Sequence, residues 1–392
     1  MADKFIYVIV SILLGFGLVF SYSLPVYLET KYGWSEFHFF FRFLGFSVIG
    51  LMIMYTLSQC NPDKCIAKIG WGLLFISTIT IILMPTPVLS PFCPVIKGAR
   101  RWIKVAGLSI APLEFFKIGM IYFFAWGFSR KLRSNHFRTL KEEIKVLIPY
   151  ALIIGFMGGY VILFQSDLGQ VMLIAMIFTI MLTFTNTTYK TFGVIFLAIF
   201  GILIFGLLHG GYRVERIKST LYNIYLLAPK WLQDFFDVKA STIDVSYQIR
   251  QSINAIHNGG FTGVGIGNGE LKMGFLSDVH TDFVLAGIAE EIGFIGVVAI
   301  MSLISLLIWR IFKIANRIET KTHNDYVFRL FAIGVGILIG LETILNIMGI
   351  IGLFPLKGLP IPFVSYGGSS IIAFSVAIGM VLMISKKAKL ED

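Results

Sequence analysis

The chain has 392 residues, of which 56% are hydrophobic and 14% charged, with a formal net charge of +11 and a mean hydropathy of +0.82. Soluble domains carry about 25% charged residues to keep their surfaces wet, so a water-soluble globular fold is excluded and most of this surface must face lipid. Three cysteines, Cys60, Cys65 and Cys93, exclude a disulfide framework; Cys60 and Cys65, with no histidine nearby, read better as reduced structural thiols than as metal ligands.

A helix that crosses the hydrocarbon core needs about 20 apolar residues. Ten runs meet that need, approximately 5–27, 40–58, 66–86, 112–129, 145–164, 169–187, 191–208, 282–311, 328–351 and 363–385. Their lengths and their Gly, Pro and Ser punctuation fit helices, since barrel strands alternate over about 10 residues. The expected fold is an all-α polytopic membrane protein of about ten transmembrane helices, forming one domain over 1–392, with a long extracytoplasmic loop at 209–281 between helices 7 and 8. The first run follows only Met1 to Lys4, exceeds a signal-peptide core and has no convincing cleavage site, so it reads as a retained helix. Two runs are irregular: 169–187 follows its predecessor almost without a loop, and 282–311 carries Glu290 and Glu291.

Basic residues in short loops set orientation. The loop at 130–145 holds Arg130, Lys131, Arg133, Arg138, Lys141 and Lys145; that at 310–329 holds Arg310, Lys313, Arg317, Lys321 and Arg329; the tail holds Lys386, Lys387 and Lys389. A ten-helix count places all of them on one side with the N-terminus, which makes that side the cytoplasm and explains most of the net charge.

Two loops on the opposite face break this pattern. The first, 87–111, places Lys97, Arg100, Arg101 and Lys104 where positive charge is disfavoured. Solvation or headgroup anchoring accounts for Arg100 and Lys104. Arg101, beside Trp102, is a candidate for an anionic ligand, because guanidinium presents a bidentate fork to phosphate. Pro112 then opens a helix at a turn where its missing N–H costs nothing. Glu114 and Lys117, three apart, share a face and can pair; a structural pair and a functional intramembrane site are both open at this point.

The second loop is 209–281, too polar to span and too long for an idle connection. WLQDFFDVKA at 231–240 is amphipathic and suits the interface plane. YQIRQSINAIHNGG at 247–260 leads into FTGVGIGNG, which lacks the preceding strand and the following GK[ST] of a phosphate loop and reads as tight turns. LSDVHTDF, 276–283, closes the loop. Thr281 or Asp282 can cap the next helix by accepting from its free N–H groups. Capping leaves Asp278, His280, Glu290 and Glu291 unexplained. A carboxylate partly desolvated at the membrane boundary can serve as a general base, so Asp282 near Arg101 and Lys117 would form a base beside an anion clamp.

Four blocks resemble the SEDS family of bacterial cell-wall proteins, represented by FtsW and RodA. They are GARRWI with its downstream P-x-E-x-x-K (Gly98 to Lys117), QSDLG (165–169), LSDVHTDFVLAGIAEEIGFIG (276–296) and GLFPLKGLPIPFVSYGGSS (352–370), in family order across essentially the whole chain. The resemblance implies a single SEDS-type transmembrane domain and peptidoglycan glycosyltransferase activity: polymerisation of lipid II at the outer face of the cytoplasmic membrane, with release of undecaprenyl diphosphate. It implies Asp282 as the catalytic residue and Arg101, Lys117, Glu114, His280, Ser365 and Lys357 as substrate-binding residues. A divalent cation (Mg or Mn) and no organic cofactor are expected. So are a class B penicillin-binding protein transpeptidase and other divisome or elongasome membrane proteins as partners, with no nucleic acid.

The chain departs from the family pattern at Ser166 for Pro, at Ser277 and Asp278 for Pro and Glu, and at Ala111-Pro112-Leu113 for Q-P-S. These changes weaken any role for Asp278 and remove no group assigned to chemistry. The HTDFVLAGIAEE and PLKGLPIPFVSYGGSS blocks read nearer the division (FtsW) type than the elongation (RodA) type. A lipid II flippase is the rival from another class; the lack of a clear internal repeat and the clustering of polar groups on one face favour an enzyme.

Overall fold

The computed structural model describes residues 3–96, 99–105, 107–132, 139–185, 187–208, 247–354 and 358–388. The amphipathic stretch at 231–240 and Lys357 lie outside these residues. Among them are twelve α-helices: α1 (Lys4–Ser23), α2 (Val26–Tyr32), α3 (His38–Gln59), α4 (Pro62–Leu83), α5 (Pro112–Lys131), α6 (Leu140–Gln165), α7 (Leu168–Thr183), α8 (Tyr189–Leu208), α9 (Tyr247–Gly259), α10 (Val284–Asn316), α11 (His323–Ile350) and α12 (Gly368–Ser385). Each of the ten apolar runs coincides with one helix; α2 and α9 are the additions. Seven helices among the described residues are long and apolar enough to cross a membrane: α1, α3, α4, α6, α10, α11 and α12. Of the other three, α7 is short, with 16 residues, and α5 carries Glu114, Lys117, Arg130 and Lys131. Among the described residues the architecture is helical apart from one antiparallel hairpin, β1 (Ile103–Val105) with β2 (Leu108–Ile110), in the 87–111 loop.

The helices end where local chemistry stops them. The first run breaks at Leu24 and Pro25, which has no N–H to continue α1, and α2 follows, closed by Gly33 in the left-handed region at φ 66°. Ser166, also left-handed at φ 50°, turns α6 into α7, and Asp167 caps α7 by accepting from Gln170 N at 3.4 Å. That single-residue reversal explains the nearly loopless junction at QSDLG.

Helix α10 is broken at Gly293 (φ 69°, ψ −170°). The break frees main-chain groups, and the glycine-rich segment after α9 takes them up: Val264 N and Gly265 N donate to Glu290 O (3.0 Å) and Glu291 O (2.9 Å), while Phe294 N and Ile295 N donate to Gly260 O (3.0 Å) and Phe261 O (3.3 Å). A Cβ on Gly263 would lie 2.3 Å from Glu291 O, and Gly263 is itself at φ 81°, so only glycine fits there. FTGVGIGNG forms tight turns, as its lack of phosphate-loop context suggested, and these turns plug the kink in α10. The Glu290 side chain accepts from Glu270 N (3.0 Å) and Leu271 N (3.2 Å), and Glu291 from Ser23 Oγ (2.6 Å) and Lys272 Nζ (2.7 Å). The two glutamates left unexplained by capping thus fasten the 260–283 segment to α10 and α1.

The core runs along α11 and α12, whose apolar stretches are 83% and 78% buried, whereas α3, α4 and α6 at 22% leave most of their surface to lipid. Helix α12 packs on α3, α4 on α5, and α10 on α11. At one end Asp3 caps α1, pairs with Arg310 at 2.6 Å and donates from its N–H to Ser385 Oγ, while Lys387 pairs with Asp63. That end carries the basic loops. The three cysteines are free thiols.

Candidate active site

At the end opposite the basic loops a cavity of about 470 Å³ opens, walled by the outer turns of α3, α5, α7 and α12, the β1–β2 hairpin and the segment preceding α10. Asp282, Arg101, Glu114 and His280, four of the residues singled out from sequence, line it together.

The placement of Asp282 depends on an irregular strap. Helix α10 begins at Val284 with Phe283 at the N-cap and no side-chain cap, and Thr281 Oγ1 donates backwards to Asp278 O. Capping by Thr281 or Asp282 is thus corrected: a turn replaces it, with Asp278 left-handed at φ 57° and its carbonyl accepting from the N–H groups of Thr281 and Asp282, both at 3.1 Å. Three successive carbonyls of the strap are then held from outside. His280 O accepts from Tyr366 N (2.9 Å), Thr281 O from Ser365 Oγ (2.8 Å) and Asp282 O from Asn346 Nδ2 (2.9 Å). This pairing also accounts for a start of α12 at Gly368 and not near 363: the Ser365 hydroxyl and the Tyr366 N–H are spent on the strap.

Ser365 is buried, and its hydroxyl also accepts from Ile361 N at 2.9 Å. It does not line the cavity, and its hydroxyl lies behind Thr281. His280 packs its ring against Phe39 and Tyr366. Burial pushes its imidazole down to about 4, against the pull of Asp278. It is therefore neutral near pH 7, able to hydrogen-bond a sugar hydroxyl but not to supply positive charge to a phosphate.

Arg101 donates from Nε to Gln165 O (3.0 Å) and from Nη2 to Ser166 O (2.9 Å), with Asp167 Oδ2 at 3.6 Å. It thereby satisfies carbonyls left over at the end of α6. A guanidinium has five N–H donors, so this anchoring leaves capacity for an anion in the cavity. Arg100 and Lys104 do not line it. Lys117 is fully enclosed between Glu114 Oε2, at 2.9 Å, and Glu342 on α11, and is not part of the cavity wall. Glu114 is on the wall and accepts from Gln170 Nε2 at 3.2 Å. The i,i+3 pair read from sequence is present, but its lysine acts on the cavity through Glu114.

Several residues escaped the sequence reading. Arg42, one turn inside α3, lines the cavity together with Tyr366; an arginine inside an apolar run was itself the signal. Asp167 and Gln170 on the α7 wall, and Glu342 and Asn346 on α11, complete the set. Among the described residues no three His, Cys, Asp or Glu side chains gather in a way that could hold a metal ion.

The family model for cell cycle proteins of the FtsW, RodA and SpoVE type matches residues 4–390. The probable peptidoglycan glycosyltransferase FtsW of Helicobacter pylori strain J99 is 38% identical over 395 residues, covering 99% of this chain and 99% of that protein. The protein of the same name from Bacillus subtilis is 32% identical over 384 residues, covering 97% and 90%. Among solved structures, Thermus thermophilus rod shape determining protein RodA is similar with a TM-score of 0.66 at 20% identity, covering 100% of this chain and 99% of that one. A chain from a peptidoglycan synthase complex, solved for the coordination of polymerization and crosslinking, has a TM-score of 0.72 at 21% identity with the same coverage. At these identities the two structures speak to the fold alone.

Proposed function

The chain belongs to the FtsW/RodA/SpoVE family of cell cycle proteins, and from that premise we propose how its cavity builds glycan strands. The protein is a multi-pass membrane enzyme, a peptidoglycan glycosyltransferase of the FtsW type serving septal cell-wall synthesis. Its substrate is lipid II, polymerised at the outer face of the cytoplasmic membrane with both termini cytoplasmic, an orientation supported by the basic loops lying at the end away from the cavity. The observation that carries this reading is the convergence of Asp282 and Arg101, from distant blocks, on one cavity wall system.

The acceptor sugar hydroxyl attacks the anomeric carbon of the growing strand. Its oxygen forms the new glycosidic bond, its proton passes to the Asp282 carboxylate, and the bond from the anomeric carbon to undecaprenyl diphosphate breaks with its electron pair on the departing oxygen. Single-step displacement inverts that carbon. Among the described residues Arg101 and Arg42 are the cations on the cavity wall, and they stabilise the charge that develops on the diphosphate. Neutral His280 and the Gln170 amide offer hydrogen bonds to the sugars. The volume falls within the range of about 300–1,000 Å³ usual for small-molecule sites; it suits the reacting sugars and diphosphate, with the polyprenyl tails left in the bilayer. Ser369 Oγ accepts from Ala111 N (2.9 Å) and donates to Ser109 O (3.1 Å), tying the small-residue start of α12 to the hairpin that follows Arg101.

A class B penicillin-binding protein transpeptidase is the proposed partner, alongside other division membrane proteins; the likeness to a chain of a peptidoglycan synthase complex supports it. The elongation and flippase readings gain nothing from relatives that carry the FtsW name.

The test is purified protein with its candidate transpeptidase, labelled lipid II and a divalent cation, with glycan polymer resolved on gels. Wild type should polymerise and folded Asp282→Asn should not. Equal polymer from both removes Asp282 from the chemistry. No polymer from either, with lipid II translocation in vesicles, would replace the enzyme by a transporter.

A further inference from the structure

Helix α11 is apolar along most of its length, and an amide inside such a helix is costly unless its hydrogen bonds are made. Asn346 is 6% exposed. Its Nδ2 donates to two separate segments, Asp282 O at 2.9 Å and Leu359 O at 2.7 Å, while Oδ1 has no partner among the described residues. The two donor bonds therefore fix the orientation of the amide, because a flipped amide would set its oxygen against two carbonyls.

We propose that Asn346 is a positioning residue for glycosyl transfer, holding the main chain of Asp282 so that its carboxylate meets the acceptor hydroxyl; this rests on the assignment of Asp282 as the base. Asp282 needs such support. It follows a turn built on a left-handed Asp278 and precedes a helix whose N-cap, Phe283, has no capping side chain. Ser365 and Tyr366 secure the two preceding carbonyls, but both belong to the 359–366 segment, which must itself be held. Asn346 does both tasks from one atom: it fixes Asp282 directly, and through Leu359 it fixes the start of the segment that fixes Thr281 and His280. A general base must lie within hydrogen-bond reach of its proton, and a misplacement of about 1 Å can lower a rate by about a hundredfold.

The experiment measures kcat and KM for lipid II polymerisation by the full-length protein with its transpeptidase partner. Wild type, Asp282→Asn, Asn346→Leu (similar size, no donor) and Asn346→Ser (smaller, one donor) are compared, each as monodisperse protein with its Tm. The expected result is a fall in kcat of about tenfold or more for Asn346→Leu, with KM within about twofold of wild type and Asn346→Ser intermediate. Wild-type kcat per folded molecule, even with a lower Tm, would make Asn346 merely structural and overturn the proposal. A rise in KM at unchanged kcat would overturn it too, since Asn346 would then serve binding. If the leucine variant does not fold, the kcat of the serine variant decides. An Asp282→Asn enzyme as active as wild type would instead sink the base assignment itself, and the proposal with it.

Discussion

Replacing Lys117 should damage the protein far more than replacing Glu342, although the two side chains touch. The lysine is 1% exposed, Glu342 0% and Glu114 10%, so the three share a water-poor site in which two carboxylates face one ammonium. Lys117→Met leaves both carboxylates buried without their cation, and Glu342 Oε2 already lacks a hydrogen-bond partner among the described residues. Removing one member of a buried ion pair costs about 3–5 kcal/mol. Glu342→Gln has the opposite effect on the charge count. It leaves one carboxylate to one ammonium, keeps an oxygen to accept from Lys117 Nζ and preserves volume, so its cost should stay within about 1 kcal/mol. At roughly 2 °C per kcal/mol for a chain of this length, differential scanning fluorimetry of detergent-solubilised protein should show Lys117→Met about 6–10 °C below wild type. Glu342→Gln should fall within about 2 °C of it. The double variant should recover part of the loss, because only Glu114 then lacks a cation and Gln170 still donates to it. If Glu342→Gln falls as far as Lys117→Met, the surplus-charge argument is wrong.

Arg42→Ala should raise the KM for lipid II about tenfold, the loss of one charge-assisted bond, at unchanged Tm. Arg101→Ala should raise KM and lower Tm together, because its guanidinium also holds Gln165 O and Ser166 O; titrating activity against lipid II beside a melting curve separates the two. Lys272→Met should destabilise by about 3–5 kcal/mol by stranding Glu291, and Glu291→Gln in the same chain should restore part of the lost Tm. His280, held at about 4 in the fold against about 6.5 when unfolded, makes the unfolded chain bind the extra proton between those values. Its contribution is complete above about pH 6.5 and is lost as pH falls towards 4, so Tm should drop over that window and His280→Asn should flatten the drop; identical slopes would remove the histidine from the account.

The sequence made the helices legible because apolar length is a local property: each of the ten runs became a helix, seven of them long and apolar enough to cross a membrane among the described residues. It made Asp282, Arg101 and Glu114 legible because charge in a disfavoured place is also local. The rest depended on pairings between distant segments. Ser365 reads as the start of the last helix until its hydroxyl is seen on Thr281 O, and Glu290 reads as a second intramembrane acid until the 270–271 main chain is seen on it. Lys117 was rightly paired with Glu114 by spacing, but nothing within 112–129 could reveal that Glu342 approaches from the other side. Glu342 and Asn346 were visible as polar residues inside an apolar run, the kind that is rarely idle, yet their partners were not. Their spacing, four residues, puts both on one face of α11 about 6 Å apart along its axis. One of them meets Lys117, behind the Glu114 part of the wall, and the other the Asp282 strap. The most buried of the long helices thus braces both the Asp282 strap and, through Lys117, the Glu114 part of the cavity wall, and ties an irregular segment to a regular element.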